Sequence, residues 1–300
     1  MKRVVSISLG SSKRNKEAQV DILGEQYHIK RISAHGDFKR FAEMFTELDG
    51  KVDALGIGGA DKYIWVGDKR YEFKEITRLV SGAKKTPVVD GSGLKNTLER
   101  ECVKRIQNEG LFDFTKSRVL VVSAVDRFGL AQSLHDYAKE IVYGDALFAL
   151  SLPLPIKSYR TLKVIASLLL PIITRLPFKM IYPVGEKQEV RKPRHEKWFK
   201  WADIIAGDWN FILRYMPNKL PGKTILTQSI RKDDIDFFRQ AGIKRVITTT
   251  PEIGNETFAT NVWEGVIVAH LGKRPEELCA QDYLDTLEKM NWKLNYIDFD

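Results

Sequence analysis

The sequence predicts a two-domain α/β protein, and three observations lead to this prediction. The chain has 300 residues, a length that suits two domains of ordinary size. Short runs rich in β-branched residues alternate with longer segments of helical period, which is the order that a parallel sheet requires. Hydrophobic residues make up 43% of the chain and charged residues 29%, so the composition is that of a folded globular protein.

The first part of the chain, residues 1–115, predicts a small α/β domain. Predicted strands cover residues 4–9, 52–56 and 87–89, and predicted helices cover residues 38–48, 75–82 and 94–108. Between them, residues 62–73 are typical of two short strands joined at Gly67 and Asp68, which is a hairpin signal.

The second part, residues 116–300, predicts a Rossmann-like parallel sheet with a helical insertion near residues 151–200. Predicted strands cover residues 118–122, 140–143, 203–206, 224–227 and 245–249, and a predicted helix covers residues 130–138. Ligands of open parallel sheets bind at the carboxyl ends of the strands, so we expect the chemistry there.

The insertion holds an apolar stretch, SLLLPIIT, flanked by basic residues. Pro171, Pro177 and the charges interrupt the roughly 20-residue apolar span that a bilayer requires. Three interpretations stay open: a buried helix that covers the sheet, a mobile lid over the cleft, or a basic amphipathic helix that contacts a membrane through residues 158–178.

The strongest signal for a nucleotide site is VLVVSAVDRFGLAQSL, residues 119–134, where a strand runs through a polar loop into a helix. Amides at such a helix start face the strand end, and phosphate is their usual occupant. The predicted cofactor contacts are Ser123, Ala124, Asp126, Arg127, Phe128, Gly129, Asp145 and Thr249. Asp145 follows the next strand, where an acidic residue accepts hydrogen bonds from a ribose diol and favours NAD over NADP. The loop has one glycine where the GxGxxG fingerprint has three, so a ligand other than a dinucleotide stays open.

A second polar cluster lies in TPVVDGSGLKNTLER, residues 86–100, around two glycines at a strand-to-helix transition. Lys95 in such a cleft could exchange a proton if its pKa were lowered, and Asp208 follows another strand of the second sheet. The predicted catalytic residues are therefore Lys95 and Asp208. The predicted substrate contacts are Ser11, Ser12, Lys13, Asp90, Ser92, Asn96, Thr97 and Asn261. Strand-end residues Asn210, Thr248, Thr250, Asn255 and Thr260 face the same expected cleft.

Charge and residue usage exclude several classes. The net charge is +9, but no aromatic-interleaved basic motif supports a nucleic-acid partner. Cys102 and Cys279 form no metal-binding array, the five histidines stand in no recognisable catalytic or metal-ligand spacing, and no metal site is predicted. The start, MKRVVSISLGSS, is too short and polar for a secretory signal, so a cytoplasmic location is expected.

Several motifs together resemble a bacterial family labelled quinate/shikimate 5-dehydrogenase-like. They are SLGSSKR, DALGIGGAD, TPVVDGSGLKNTLER, SAVDRFGLAQSL, GDWNFILRYMP and ITTTPEIGNETFATN, and they span nearly the whole chain. The resemblance implies an N-terminal substrate domain, a C-terminal nicotinamide-binding domain and oxidation of a ring hydroxyl with NAD or NADP. SAVDRFG replaces the glycine-rich loop of the characterised enzymes, and the segment that carries their lysine is absent, so Lys95 matches by position only.

The first functional hypothesis is therefore an NAD(P)-dependent dehydrogenase of a small hydroxylated carboxylic acid. The second is a protein that binds a nucleotide or phosphorylated metabolite without catalysis. The third is an enzyme acting on a lipid-linked substrate, which the apolar insertion motivates. A small molecule is the expected partner in the first two, and self-association stays open.

Overall fold

The computed structural model describes residues 1–253 and 256–299 and contains two principal β-sheets with helices packed on them. The elements of the first part are β1 (Lys2–Ser8), β2 (Lys16–Ile22), β3 (Glu25–Ser33), α1 (Phe38–Leu48), β4 (Ala54–Gly58), β5 (Tyr63–Val66), β6 (Lys69–Glu72), α2 (Lys74–Val80), β7 (Val88–Val89), α3 (Ser92–Asn96) and α4 (Leu98–Asn108). Those of the second part are β8 (Arg118–Val121), α5 (Phe128–Tyr137), β9 (Glu140–Tyr143), α6 (Asp145–Phe148), α7 (Tyr159–Ile173), α8 (Phe178–Ile181), α9 (Glu196–Trp201), β10 (Ile204–Ala206), α10 (Trp209–Tyr215), β11 (Thr224–Thr227), α11 (Asp234–Ala241), β12 (Arg245–Thr248), β13 (Glu252–Ile253), β14 (Glu256–Thr257), α12 (Thr260–Leu271), α13 (Ala280–Lys289) and β15 (Asn295–Asp298).

The first sheet has the strand order β2-β3-β1-β4-β7. Strands β3, β1, β4 and β7 are parallel, whereas β2 runs antiparallel to β3. The two are joined by Leu23 and Gly24, which both have positive φ, as a tight two-residue hairpin turn requires. The sequence argument missed this β2–β3 hairpin, because its alternating charged residues give it no long apolar run.

The second sheet has the order β15-β12-β11-β10-β8-β9 and is parallel except for β15. Its parallel strands follow the doubly wound order 2-1-3-4-5, with the reversal of direction between β8 and β10. Both faces are covered, since Leu120 packs with Trp209 and Phe238 while the adjacent Val121 packs with Leu130 and Leu134. The predicted class, two α/β regions with a Rossmann-like parallel sheet in the second, is confirmed.

Helix α12 returns the chain to the first sheet. It contacts β1, β4 and β7, and a Cβ at Gly265 would lie 2.8 Å from Val4 Cγ1. The Asn261 amide also donates to Ser6 Oγ at 2.6 Å. A boundary between residues 115 and 116 therefore separates the strands of the two sheets but not the helices that cover them.

The two sheets share a continuous apolar core. One cluster of buried side chains includes Ile7 and Leu55 of the first sheet together with Val119 and Val121 of the second. The insertion joins this core, because Phe178 packs edge-on against Phe73 with ring centroids 5.6 Å apart. No helix in the described part of the chain is long and apolar enough to cross a bilayer.

Candidate functional site

A cleft of about 740 Å³ lies where the carboxyl ends of both sheets meet. The first sheet contributes the turn after β4, and the second contributes the turns after β8 and β10. Side chains and backbone from these turns line the cleft, namely Gly58, Gly59, Ala60, Asp61, Asp126, Arg127 and Asp208. The residues lie together because parallel strands place all their carboxyl ends on one edge.

Lys95 lines the cleft and lies between two carboxylates. Its Nζ donates to Asp61 Oδ1 at 2.7 Å and to Asp126 Oδ1 at 2.8 Å. All three side chains are 15% exposed or less. Asp61 belongs to the first half and Asp126 to the second, so this lysine ties the two sheets together electrostatically.

A second buried cation continues the network toward β10. The Arg127 guanidinium pairs with Glu99, and its Nη2 lies 3.5 Å from Asp208 Oδ2. Asp208 caps α10 through the amides of Asn210 and Phe211 and accepts a hydrogen bond from Gln228 at 2.7 Å. The predicted catalytic Asp208 thus lies in the cleft wall with both carboxylate oxygens engaged.

Burial and charge move the pKa values of this network apart. Desolvation raises the pKa of Asp61 well above its usual range, although Lys95 opposes the change. For Asp126, burial is outweighed by the charges of Lys95 and Arg127, so its pKa is lowered. For Lys95, the two aspartates outweigh burial and raise the pKa. Lys95 therefore keeps its proton, contrary to the lowered pKa that a basic role requires, and Asp61 is the group suited to exchange one.

The predicted phosphate turn after β8 is closed by its own chain. The Asp145 carboxylate accepts hydrogen bonds from the amides of Ala124 at 3.1 Å and Val125 at 3.0 Å. Burial raises the pKa of Asp145 to about 6 against these bonds. A phosphate on these amides would have to displace Asp145, and Asp145 would have to leave them to reach a ribose. The turn therefore does not fit the pyrophosphate of a dinucleotide.

Of the other predicted cofactor contacts, Asp126 and Arg127 line the cleft, whereas Ser123, Phe128, Gly129 and Thr249 do not. A Cβ at Gly129 would lie 2.5 Å from the Lys95 carbonyl oxygen, so this glycine permits α5 to pack on α3. Phe128 packs against the Tyr159 ring at 5.3 Å. Ser123 and Thr249 are buried, and the Thr249 carbonyl accepts from Cys102 Sγ at 3.6 Å. Packing between elements, which strand-end position alone does not reveal, accounts for Phe128 and Gly129.

Asp90 lines the cleft and also links two of the elements that form it through hydrogen bonds. Its Oδ2 accepts from the amides of Lys62 at 2.8 Å and Tyr63 at 2.7 Å, while its Oδ1 accepts from the Ser92 amide at 3.0 Å. Asp90 thus attaches the β5–β6 hairpin to the start of α3, the helix that carries Lys95.

Glu264 of α12 also holds the start of α3, through hydrogen bonds to its backbone amides. It accepts from the amides of Gly91 at 2.5 Å and Gly93 at 3.1 Å, and from the Tyr283 hydroxyl at 3.0 Å. Burial, with a smaller contribution from Asp90, raises the pKa of Glu264 to about 8. Sequence reasoning missed this contact, since the two partners are more than 170 positions apart.

The remaining predicted substrate contacts divide into two groups. Lys13 and Asn261 line the cleft. The other five make local contacts that involve the backbone. Ser11 caps the 3-10 turn Ser12–Arg14, and the Ser12 carbonyl accepts from the Asn15 amide. The Ser92 amide donates to Asp90, Asn96 donates to the Ser92 carbonyl, and Thr97 donates to the Gly93 carbonyl. Of the further strand-end residues, Asn210, Thr248 and Thr260 line the cleft, and Asn255 lies outside the described residues.

Arg31 is the main residue that the sequence argument missed. Its guanidinium donates to Ser8 Oγ at 2.7 Å, to the Ser11 carbonyl at 3.2 Å and to Asn15 Oδ1 at 3.3 Å. Burial, with a smaller effect of Arg14, lowers the pKa of Arg31 to about 10. Among the side chains that the structure describes, which exclude those of Glu189 and Glu256, no carboxylate pairs with this guanidinium.

Two glycines bring backbone close to Arg31. A Cβ at Gly10 would lie 3.2 Å from Arg31 Nη2, and one at Gly59, whose φ is +67°, would lie 2.9 Å from the Gly10 amide nitrogen. In the described chain, the amides of Gly59, Ala60 and Asp61 make no hydrogen bond to protein groups. The strand-end rule, applied to GIGGAD at the carboxyl end of β4, would have found this turn. Nothing in the local sequence marks Arg31, which comes from an unpredicted strand.

The fold and this cleft define a class, that of α/β proteins with a ligand-sized cleft between the carboxyl ends of two mainly parallel sheets. The chain belongs to the family described as "Domain of unknown function (DUF8754)", whose model matches residues 93–299. Residues 3–90 match a second model, described as "Domain of unknown function (DUF8753)". No curated protein matches the sequence.

Solved structures align over most of the chain at low similarity. A periplasmic solute-binding protein from Actinobacillus succinogenes with bound D-allose has 11% identity and a TM-score of 0.36, with 99% of this chain and 98% of that chain covered. An NAD-dependent malic enzyme from Thermotoga maritima has 12% identity and a TM-score of 0.37, with 96% and 84% covered. A solute-binding protein from Burkholderia multivorans has 9% identity and a TM-score of 0.38, with 99% of each chain covered. Likenesses this low carry no argument about function.

Proposed function

We propose that this protein binds a small hydroxylated anion, such as a hydroxy acid or a sugar phosphate, in the cleft between its two sheets. One observation carries the proposal. The largely buried guanidinium of Arg31 lies in the cleft wall, and all of its described partners are neutral. A desolvated guanidinium without a counter-charge is costly, and a carboxylate or phosphate would supply that charge through charge-assisted hydrogen bonds.

The turn after β4 supports an anion beside Arg31. The amides of Gly59, Ala60 and Asp61 follow one another after a parallel strand, and successive amides in such a turn form an anion-binding concavity. Gly10 and Gly59 lack the side chains that would otherwise fill the space between this turn and the guanidinium.

The carboxylates that line the cleft suit the hydroxyl groups of the ligand. Asp61 and Asp126 each face the cleft with a side chain that is at least 85% buried, and carboxylate oxygens accept hydrogen bonds from hydroxyls. A volume of about 740 Å³ is in the range of small-molecule sites. The ligand would thus place its anionic group at Arg31 and its hydroxyls toward Lys95.

Calorimetric titration with quinate, shikimate, glucose 6-phosphate, inorganic phosphate and uncharged glucose tests the proposal. At least one hydroxylated anion should bind more tightly than glucose and phosphate, and Arg31→Met should weaken that binding about tenfold or more. Arg78→Met is the matched control, because this substitution removes the same charge from an exposed residue of α2. No binding by any anion, or equal losses in the two variants, would refute the proposal.

The dehydrogenase that the sequence resemblance implies is a second candidate, and the Lys95–Asp61 pair favours it. Asp61 would accept the proton of the substrate hydroxyl, since its pKa is raised by burial, while Lys95 would stay charged and stabilise the resulting carboxyl and alkoxide groups. NAD or NADP would supply the hydride acceptor, but the turn after β8 does not fit its pyrophosphate.

A kinetic assay separates the two candidates. Incubation with quinate or shikimate and either NAD or NADP, followed by the absorbance of the reduced cofactor, should give no turnover if the cleft only binds its ligand. Turnover that is lost in Asp61→Asn would establish the dehydrogenase instead.

A further inference from the structure

Helix α7 exposes an apolar face that packs against no other element of the described chain. Val164 is 50% exposed, Leu168 68% and Ile172 61%, at a spacing of four residues that places them on one side of the helix. Leu162, Ala166 and Leu170, on the opposite side, are buried. The helix therefore has one apolar face for the protein core and a second that faces solvent.

Exposed apolar side chains also flank the helix. Leu176 is 40% exposed and Met180 is 74% exposed, in the segment that follows the end of α7 at Ile173. In the segment that leads into α7, Leu150, Leu152 and Leu154 are between 45% and 62% exposed. Contiguous apolar surface of this kind is rare on monomeric proteins unless it contacts something else.

The charged side chains of this segment itself have one sign, although Asp68, Asp136 and Glu75 of other elements lie near Tyr159 and Phe178. Residues 151–185 contain five basic side chains and no Asp or Glu, although 39 of the 300 residues in the chain are acidic. The five are all exposed: Lys157, Arg160, Lys163, Arg175 and Lys179. An apolar face with basic flanks has the chemistry that matches an anionic lipid surface.

We propose that α7 and its flanks, residues 150–180, dock this protein on the surface of an anionic bilayer. The helix lies in the plane of the interface, with Leu168 and Ile172 among the acyl chains and the basic side chains at the phosphate groups. It does not cross the membrane, because α7 has 15 residues and includes Pro171.

A second copy of the chain is the competing occupant, and the charges argue against it. Two copies paired through this face in a two-fold dimer would bring ten basic side chains together with no acid from residues 151–185 to neutralise them. Phosphate head groups provide the missing negative charge. The proposal is independent of the cleft, whose ligand does not enter the argument.

Co-sedimentation of the full chain with vesicles tests the proposal. We expect most of the protein to pellet with phosphatidylcholine vesicles that contain about 30% phosphatidylglycerol, and to stay in the supernatant with phosphatidylcholine alone. About 0.5 M NaCl should reduce the pelleted fraction, since salt screens the basic flanks. Protein that stays in the supernatant with both vesicle types would overturn the proposal.

Two sets of variants separate the apolar and electrostatic contributions. The double variant Leu168→Ser and Ile172→Ser should lower the vesicle affinity at least tenfold, whereas Val190→Ser, at a residue 48% exposed outside this face, should not. Arg160→Gln with Arg175→Gln should act similarly, and Lys51→Gln with Arg78→Gln should not. We expect all of these variants to fold, because every changed residue is at the surface. Circular dichroism checks this expectation.

The same variants distinguish lipid from a second copy. Analytical ultracentrifugation should show a monomer for both the natural chain and the Leu168→Ser, Ile172→Ser variant. A dimer that this variant dissociates would show that the face binds another copy, and the lipid proposal would be wrong.

Discussion

Two strand-end turns of this protein border the same cleft, and they differ in what occupies their backbone amides. After β8, the amides of Ala124 and Val125 are bonded to Asp145. After β4, the amides that follow Gly58 make no hydrogen bond within the described chain, and the unpaired charge of Arg31 lies beside them. A strand followed by a turn therefore predicts a set of donors, but only residues distant in sequence decide whether a ligand can reach them.

The largest effect that sharpens this comparison is expected at the ion cluster between the two turns. Lys95→Met leaves the Asp61 and Asp126 carboxylates buried without their shared cation, so the free energy of unfolding should fall by about 3–5 kcal/mol. Urea denaturation measures it, with the exposed Lys104→Met as control. Adding Asp61→Asn should restore part of the loss; a change below about 1 kcal/mol would contradict the ion pairing.

The next effect distinguishes the closed turn from the open one. Asp145→Ala leaves two amides without an acceptor, so the free energy of unfolding should fall by about 1–3 kcal/mol while the affinity for the anionic ligand stays unchanged. Arg31→Met should show the reverse pattern. If Asp145→Ala instead abolished anion binding and left stability intact, the turn after β8 would be the ligand site.

A smaller effect is expected at the close approach of the two glycines. Gly59→Ala places a Cβ 2.9 Å from the Gly10 nitrogen at a φ of +67°. This substitution should lower the free energy of unfolding by about 1–2 kcal/mol and weaken anion binding. Gly24→Ala is the control, since its φ is +76° but no atom lies within 4 Å of the added Cβ. Equal binding losses in both variants would exclude the proposed anion position.

The smallest effect, taken per pH unit, is the dependence of the free energy of unfolding on pH. Burial raises the pKa of Glu264 from 4.5 to about 8, so the folded state binds its proton more tightly than the unfolded state. Stability from this group is present below pH 4.5 and is lost as the pH rises toward 8. Glu264→Gln should flatten the decline between those values by up to about 1.4 kcal/mol per pH unit, which is the limit for one titrating group, as unfolding at several pH values would measure. An unchanged slope would show that Glu264 does not bind its proton more tightly in the folded state.

The sequence by itself determined the local elements of this protein. The bounds of α1 were predicted without error, and the hairpin at Gly67 and Asp68 was predicted in its correct place. Both follow from interactions within a few residues, namely the spacing of apolar side chains and the turn preference of glycine. The strand-end rule also brought Asp126, Asp208 and Lys95 to one cleft before their contacts were known.

Tertiary structure decided which of these residues are available. Asp61 reaches Lys95 from 34 positions away, Asp145 closes a turn 20 positions before it, and α12 returns to the first sheet to hold the start of α3. A buried polar group must find a partner wherever the fold supplies one, and that partner is chosen by packing between elements rather than by sequence spacing. Arg31 stands out in the cleft because the described fold supplies no carboxylate to it.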